Sequence, residues 1–193
     1  MRIVSGKYRG RKLRPPAKLP VRPTTDFAKE ALFNVLNNLI DFESVNVLDL
    51  FTGTGSISFE FLSRGCPSVT AVDQNPRCID FINKASREFG IDNLRTVRSN
   101  VFQILRHPTA SFDLIFADPP YDLADPGIIP ELVFNSSILQ KDGLFILEHS
   151  ATWNFDQHPH FSQKRTYGSV NFTFFTSSKE NTQINDPSLN RKS

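Results

Sequence analysis

The chain has 193 residues, 39% hydrophobic and 22% charged, with 18 Phe but one Trp and one Met. This excludes a wholly disordered chain and suits one domain with at most a short appendage. The net charge of +2 hides an asymmetry: residues 1–22 carry eight Lys or Arg and no acid, which leaves 14 cations against 20 acids in the remainder. No apolar run approaches the roughly 18–20 residues of a membrane-spanning helix, and the start of the chain lacks a secretory apolar stretch, so a cytoplasmic protein is expected.

In chain order, the opening reads as a basic hairpin around Gly6 and Gly10, then an extended arm in which Pro15, Pro16, Pro20 and Pro23 forbid a helix. A helix is predicted from Thr25 or Asp26, either able to cap it, with Ala28, Leu32, Val35, Leu36 and Leu39 at helical spacing. From residue 45, apolar strands alternate with helices: "VNVLDL", a helix from Ser56, "SVTAVD", a helix from Pro76, "LRTVR", a short helix over 101–106, "FDLIFAD", a helix over 127–138, and "GLFILEH". Such alternation with near-continuous apolar strands predicts a parallel sheet covered on both faces, hence an α/β fold. "QKRTYGSVNFTFF" reads as two strands hinged at Gly168 that add antiparallel to the sheet edge, and the polar stretch 177–193 as a disordered tail. Cys66 and Cys78 make no disulfide framework and have no metal-ligand spacing with the four His, so no metal is expected.

In "VLDLFTGTGS" a strand runs through Gly53 and Gly55 into a helix, the arrangement that lets a nucleotide-like ligand approach the backbone at a helix N-terminus. Asp73, at the end of the next strand, stands where an acid meets ribose hydroxyls. Asp49 suits a positively charged amine and would repel a pyrophosphate. S-adenosylmethionine carries both an amine and a ribose; capping of the following helices is the plain alternative for both carboxylates. Further on, Asp118-Pro119-Pro120-Tyr121 follows the strand "FDLIFA". Two prolines remove two donors, so Asp118 and the Pro119 carbonyl can accept both hydrogens of an exocyclic amine while Tyr121 offers a ring for a flat base.

DPPY after the fourth strand, with a glycine-rich first loop, resembles class I S-adenosylmethionine-dependent methyltransferases acting on exocyclic amines. "RIVSGKYRGRKL", "RPTTDFAKEALFN", "VLDLFTGTGSISFEFLSRG", "FDLIFADPPY" and "YGSVNFTFF" follow the order of the bacterial RsmD family, 16S ribosomal RNA guanine-N2 methyltransferases, across residues 1–176. The resemblance implies a Rossmann-like, mostly parallel seven-stranded sheet with helices on both faces. It divides the chain into a basic hairpin and arm (1–24), a methyltransferase domain (25–176) and the tail (177–193). It implies that Asp49, Phe51, Gly53 and Gly55 hold the methionine part of S-adenosylmethionine, Asp73 the ribose, Asn100 and Val101 the adenine, and Asp118, Pro119, Pro120 and Tyr121 the target guanine.

Relatives carry an acid where this chain has Ser99-Asn100; the Asn100 side-chain oxygen can still accept from the adenine amine. Arg2, Lys7, Arg9, Arg11, Lys12 and Arg22, with Thr24 and Thr25 near the site, are the expected RNA contacts, since phosphate neutralisation carries RNA affinity. The implied partner is 16S ribosomal RNA in the small subunit or an assembly intermediate, with the protein a monomer. The four His are read as scattered surface or structural groups. An adenine-N6 or other exocyclic-amine nucleic-acid methyltransferase, a nicotinamide-dependent oxidoreductase and an RNA-binding protein without catalysis are the alternatives.

Overall fold

A computed structural model describes residues 1–16, 19 and 25–177. Expectations resting on Arg22 and Thr24, on Lys18, Pro20 and Pro23, and on the tail beyond Ser177 lie outside the described residues. The elements are α1 (Asp26–Leu36), β1 (Asn46–Leu50), α2 (Ser56–Ser63), β2 (Ser68–Asp73), α3 (Pro76–Phe89), β3 (Leu94–Arg98), α4 (Val101–Arg106), β4 (Phe112–Ala117), α5 (Ile128–Phe134), β5 (Leu139–His149), β6 (Phe161–Tyr167) and β7 (Val170–Thr176). The strands form one seven-stranded sheet in the order β3-β2-β1-β4-β5-β7-β6. The first five run parallel, while β7 pairs antiparallel with both β5 and β6.

Period-two alternation sends neighbouring residues of each strand to opposite faces of the sheet. Val47, Leu114, Phe116 and Ile146 join a core formed with α1, α2 and α3, whereas Leu48, Leu50, Ile115, Ala117, Phe145 and Leu147 join a second core under α4 and α5. The sheet is thus buried on both sides, which is why its strands read as nearly unbroken apolar runs. Local signals set the helix starts: side chains of Thr25, Asn75 and Asn100 accept from backbone N–H groups of the first turns of α1, α3 and α4, and Pro76 opens α3.

The basic hairpin is closed by a bridge between Arg2 and Lys12 and by Ile3 N–H to Arg11 O, 3.0 Å, and Gly10 N–H to Ile3 O, 2.8 Å. It packs on the body, for Ile3, Tyr8 and Leu13 are buried in the same core as α1 and α2. Gly6 makes this approach possible: its φ is +79° and a Cβ there would overlap the Ser63 carbonyl, which accepts from Lys7 N–H at 2.7 Å. Beneath the hairpin lies a charged group that periodicity passes over. Lys29, fully buried on α1, donates to Arg2 O at 2.6 Å and Ser56 Oγ at 3.1 Å and lies 3.9 Å from Glu60. Glu60, also fully buried, accepts from Val4 N–H, Ser5 N–H and Arg64 Nε at 2.8, 3.1 and 3.1 Å.

Two boundaries differ from expectation. The fifth helix stops at Phe134 instead of near 138, because Ile138 is drawn into the pairing of β4 with β5, where its carbonyl accepts from Phe112 N–H at 2.8 Å. β5 correspondingly starts at Leu139 and accommodates an irregular register against β4, with Asp142 at a φ of +62°. The histidines are not all scattered. His149, His158 and His160 gather with Phe134, Phe155 and Phe175; His160 stacks on Phe134 at 4.0 Å and His149 meets Phe155 edge-on at 4.9 Å. His149 is held between Ser150 O and Thr173 Oγ1, and burial lowers its pKa, so it packs as a neutral ring. No helix among the described residues is long and apolar enough to cross a membrane.

Candidate active site

Between β1 and β4 the strand order reverses: the chain builds outward through β2 and β3, then returns to lay β4 on the other side of β1. The crevice beyond the carboxyl ends of such strands is where ligands bind in open α/β sheets. Here it is a cleft of about 530 Å³, within the usual size of small-molecule sites. Asp49, Phe51, Gly53, Asp73, Asn100 and Val101 line it together with Asp118, Pro119, Pro120, Tyr121 and Thr25. The two constellations read separately in the sequence therefore share one cavity.

Asp49 shows how the first half is held. Strand alternation turns it to the α2 face, where Ser58 N–H (3.1 Å), Ser58 Oγ and Thr52 Oγ1 (2.7 Å) all donate to its Oδ2. Oδ1 receives none of these bonds. The residue is 1% exposed, and burial pushes its carboxyl up from the ordinary 3.8 to about 6 in spite of those donors, with the Asp73 charge adding in the same direction. A cation beside it would relieve that desolvation.

Asp73, half-buried at the end of β2, accepts from Gly53 N–H at 2.9 Å on one oxygen and Asn75 N–H at 2.8 Å on the other. It thereby pins the glycine turn to the second strand and still has lone pairs for hydroxyl donors. Phe51 adopts a φ of +58°, rare for a bulky residue, and its ring meets Phe102 edge-on at 6.2 Å, forming an apolar wall with Val101.

Two residues of this set also have local roles in the fold. Gly55 does not line the cleft: at φ +72° it caps α2 and faces inward, where a Cβ would stand 3.0 Å from Ile82 Cγ1 and 3.2 Å from Phe59. It is a packing and turn residue. The Asn100 side chain lines the cleft and its oxygen accepts from Phe102 N–H at 2.9 Å as the cap of α4, which uses one of its two lone pairs.

In the second half, the ladder from β4 to β1 ends with a long Asp118 N–H to Leu50 O bond of 3.4 Å, and the two prolines that follow donate nothing. Tyr121 is 51% exposed at the rim. The cleft also takes in Phe116, Glu148, Ser169 and Val170, none of which was singled out from the sequence. Glu148 had a signal, an acid closing an apolar strand just as Asp73 and Asp118 do; Ser169 and Val170 had none, since only the antiparallel return of β7 brings them here. Cys66 and Cys78 are buried, which pushes their thiols up to about 12 and about 11, so neither supplies a thiolate nucleophile.

Among the expected RNA contacts, Thr25 both lines the cleft and caps α1, accepting from Ala28 N–H at 3.2 Å. The hairpin lies along α2: Thr54 Oγ1, in the cleft, donates to Met1 Sδ at 3.3 Å, while Tyr8 N–H reaches Ser63 Oγ at 2.9 Å at the far end. Arg2 is thus at the cleft end, Lys7 and Arg9 about 12 Å further along an eight-residue helix, and Lys12, bridged to Arg2, lines a groove against α3. All four are exposed. Arg11 is committed elsewhere: its guanidinium donates to Phe89 O at 2.9 Å and covers the rings of Tyr8 and Phe89.

Comparison with known proteins agrees with this geometry. Residues 1–176 match the family described as conserved hypothetical protein 95. Ribosomal RNA small subunit methyltransferase D of Buchnera aphidicola (subspecies Baizongia pistaciae) is 30% identical over 154 residues, 80% of this chain and 78% of that protein. The Haemophilus influenzae protein of that name is 31% identical over 154 residues, 77% and 78% of the two chains. The solved structure of yhhF from Escherichia coli superposes with a TM-score of 0.79 at 26% identity, covering 91% of this chain and 97% of that one. A seven-stranded sheet of this order, a cleft uniting the buried Asp49 carboxylate with the Asp118-Pro119-Pro120-Tyr121 loop, and a match over residues 1–176 place the chain in the ribosomal RNA small subunit methyltransferase D (RsmD) family.

Proposed function

We propose that this protein transfers a methyl group from S-adenosylmethionine to the exocyclic N2 amine of a guanine in 16S ribosomal RNA, within the small subunit or an assembly intermediate of it. The observation that carries the reading is the single cleft in which Asp49 and Asp73 lie on one side and Asp118, Pro119 and Tyr121 on the other.

The donor set fits the cofactor. Asp49 offers a desolvated carboxylate to its amine, Gly53 a wall with no side chain in the way, Asp73 acceptors for ribose hydroxyls, and Phe51, Val101 and Phe102 apolar cover for the adenine. When bound, S-adenosylmethionine supplies an electrophilic methyl on a sulfonium. The chain's own residues act on the acceptor. An amine conjugated to a base is a poor nucleophile because its lone pair is delocalised; accepting both of its hydrogens at Asp118 and the Pro119 carbonyl favours a pyramidal nitrogen and concentrates that pair. Asp118 then balances the positive charge that develops and passes a proton to water. Tyr121 holds the base in plane, so that much of the rate comes from alignment. The exposed cations of the hairpin hold the RNA by its phosphates.

The test incubates purified protein with labelled S-adenosylmethionine and small subunits from cells lacking the enzyme, followed by nucleoside mass spectrometry. Label in N2-methylguanosine is expected. Label in N6-methyladenine, or in DNA alone, would overturn the guanine assignment while keeping the amine chemistry.

A further inference from the structure

DPPY handles an amine, but adenine and guanine both carry one, so the motif leaves the choice of base open. The strand register supplies a second carboxylate that can make that choice. Ile146 pairs with Phe116 and Leu147 with Ala117, so one step further along the parallel strands Glu148 stands level with Asp118. Alternation puts both on the face of Phe116 and Ile146, and Phe116, Asp118 and Glu148 all line the cleft. Glu148 is 3% exposed, a carboxylate held out of bulk water at the wall of a binding site. Across the sheet the order of ligand-facing groups is Asp73, Asp49, Asp118, Glu148 and then Ser169 and Val170. The cofactor half ends at Asp118, and a base whose amine is held there extends over β5.

Resting on the guanine-N2 reading above, we infer that Glu148 is the residue that selects guanine, accepting the N1–H beside the reacting amine. Guanine presents two adjacent donors on this edge, N2–H and N1–H, which match two adjacent carboxylates. Adenine presents an unprotonated N1 next to its amine, and that lone pair faces a carboxylate with no hydrogen between them. In a site of low solvent access such a mismatch leaves adenine N1 buried with no donor. Specificity then comes from rejection by Glu148, while Asp118 serves the chemistry.

The experiment compares the enzyme and Glu148→Gln on two substrates: small subunits with guanine at the mapped methylation position, and subunits reconstituted with 2-aminopurine there, which keeps the amine but has an acceptor at N1. The native enzyme is expected to lose about 10- to 100-fold in kcat/KM on 2-aminopurine, the loss of one hydrogen bond to a charged group. Glu148→Gln, whose amide can accept from N1–H or donate to an unprotonated N1, is expected to lose the charge-assisted part of the bond on guanine and to recover 2-aminopurine, so that the substrate preference collapses. S-adenosylhomocysteine affinity of the variant should stay within a few fold, which verifies its fold. An equal fall on both substrates, with the preference unchanged, overturns the assignment and leaves the guanine reading intact. If the native enzyme forms no N2-methylguanosine, the guanine reading fails and the role of Glu148 with it.

Discussion

Asp49→Asn separates what the site does for ligand binding from what it does for the fold. The Asp49 carboxyl is raised from 3.8 to about 6, and each unit is worth about 1.4 kcal/mol, so keeping it ionised costs the unliganded protein about 3 kcal/mol at neutral pH. Asparagine is close in shape to the protonated acid and keeps an oxygen for the Ser58 and Thr52 donors. The variant should therefore be more stable than the native protein at pH 7.5, by about 2–3 kcal/mol or roughly 4–12 °C in Tm for a chain of this length. The sign follows from proton binding: the folded state holds this proton more tightly than the unfolded chain, so native stability rises relative to the variant as pH falls from about 6 towards 3.8. The gap should be full above pH 6 and close by about pH 4.

On the proposed function the same substitution removes the charge that would meet the cofactor's amine, and S-adenosylhomocysteine affinity should fall about 10- to 100-fold. In the native protein that affinity should weaken as pH drops below about 6, while the variant's stays flat. Calorimetric melting and titration of both proteins between pH 4 and 8 measure all of this. A variant less stable than the native protein at pH 7.5, or a stability gap independent of pH, would refute the account of a desolvated carboxylate awaiting a cation.

Three further outcomes are expected. Asp118→Ala should reduce methyl transfer by at least about 100-fold with S-adenosylhomocysteine affinity within a few fold; normal turnover in a filter assay would remove Asp118 from the chemistry. Arg9→Gln with Lys12→Gln should lower the slope of log affinity for RNA against log salt by about 1.4–1.8, whereas Arg11→Gln, whose guanidinium clamps Tyr8 and Phe89, should instead lower stability by about 1 kcal/mol; a slope unchanged in the first variant would exclude those cations from the phosphate contact. Lys29→Met removes the cation beside fully buried Glu60 and should destabilise the fold by about 3 kcal/mol in urea denaturation, since a buried charge loses a partner; a change below about 1 kcal/mol would show that Arg64 and the Val4 and Ser5 amides satisfy Glu60 alone.

Most of the fold was legible because its signals are local. Strand runs are apolar in nearly every residue when both faces are covered, helices start where Thr25, Asn75 and Asn100 stand, and Gly168 marks the return of the last hairpin. The carboxylates at the ends of β1, β2 and β4 were legible for the same reason: chain order alone puts them at the ligand edge of a parallel sheet. Sequence could not tell whether a residue of the right type turns toward the cleft or away from it. Gly53 and Gly55 differ by two positions in one turn, yet one lines the cleft and the other packs on Ile82. Arg9 and Arg11 are alike in composition, but the second is spent on Tyr8 and Phe89.

What the sequence by itself determined is the class of the fold and two segments that line the cleft, the turn after β1 and the Asp118-Pro119-Pro120-Tyr121 loop, all of which depend on residues near one another in the chain. What only the tertiary structure decided depends on contacts between distant segments: the burial of Lys29 and Glu60 under the hairpin, the gathering of three histidines around Phe134, Phe155 and Phe175, and the placing of Glu148 level with Asp118. Pairing register and side-chain burial are set by which segments meet, and a single residue's position in sequence carries neither.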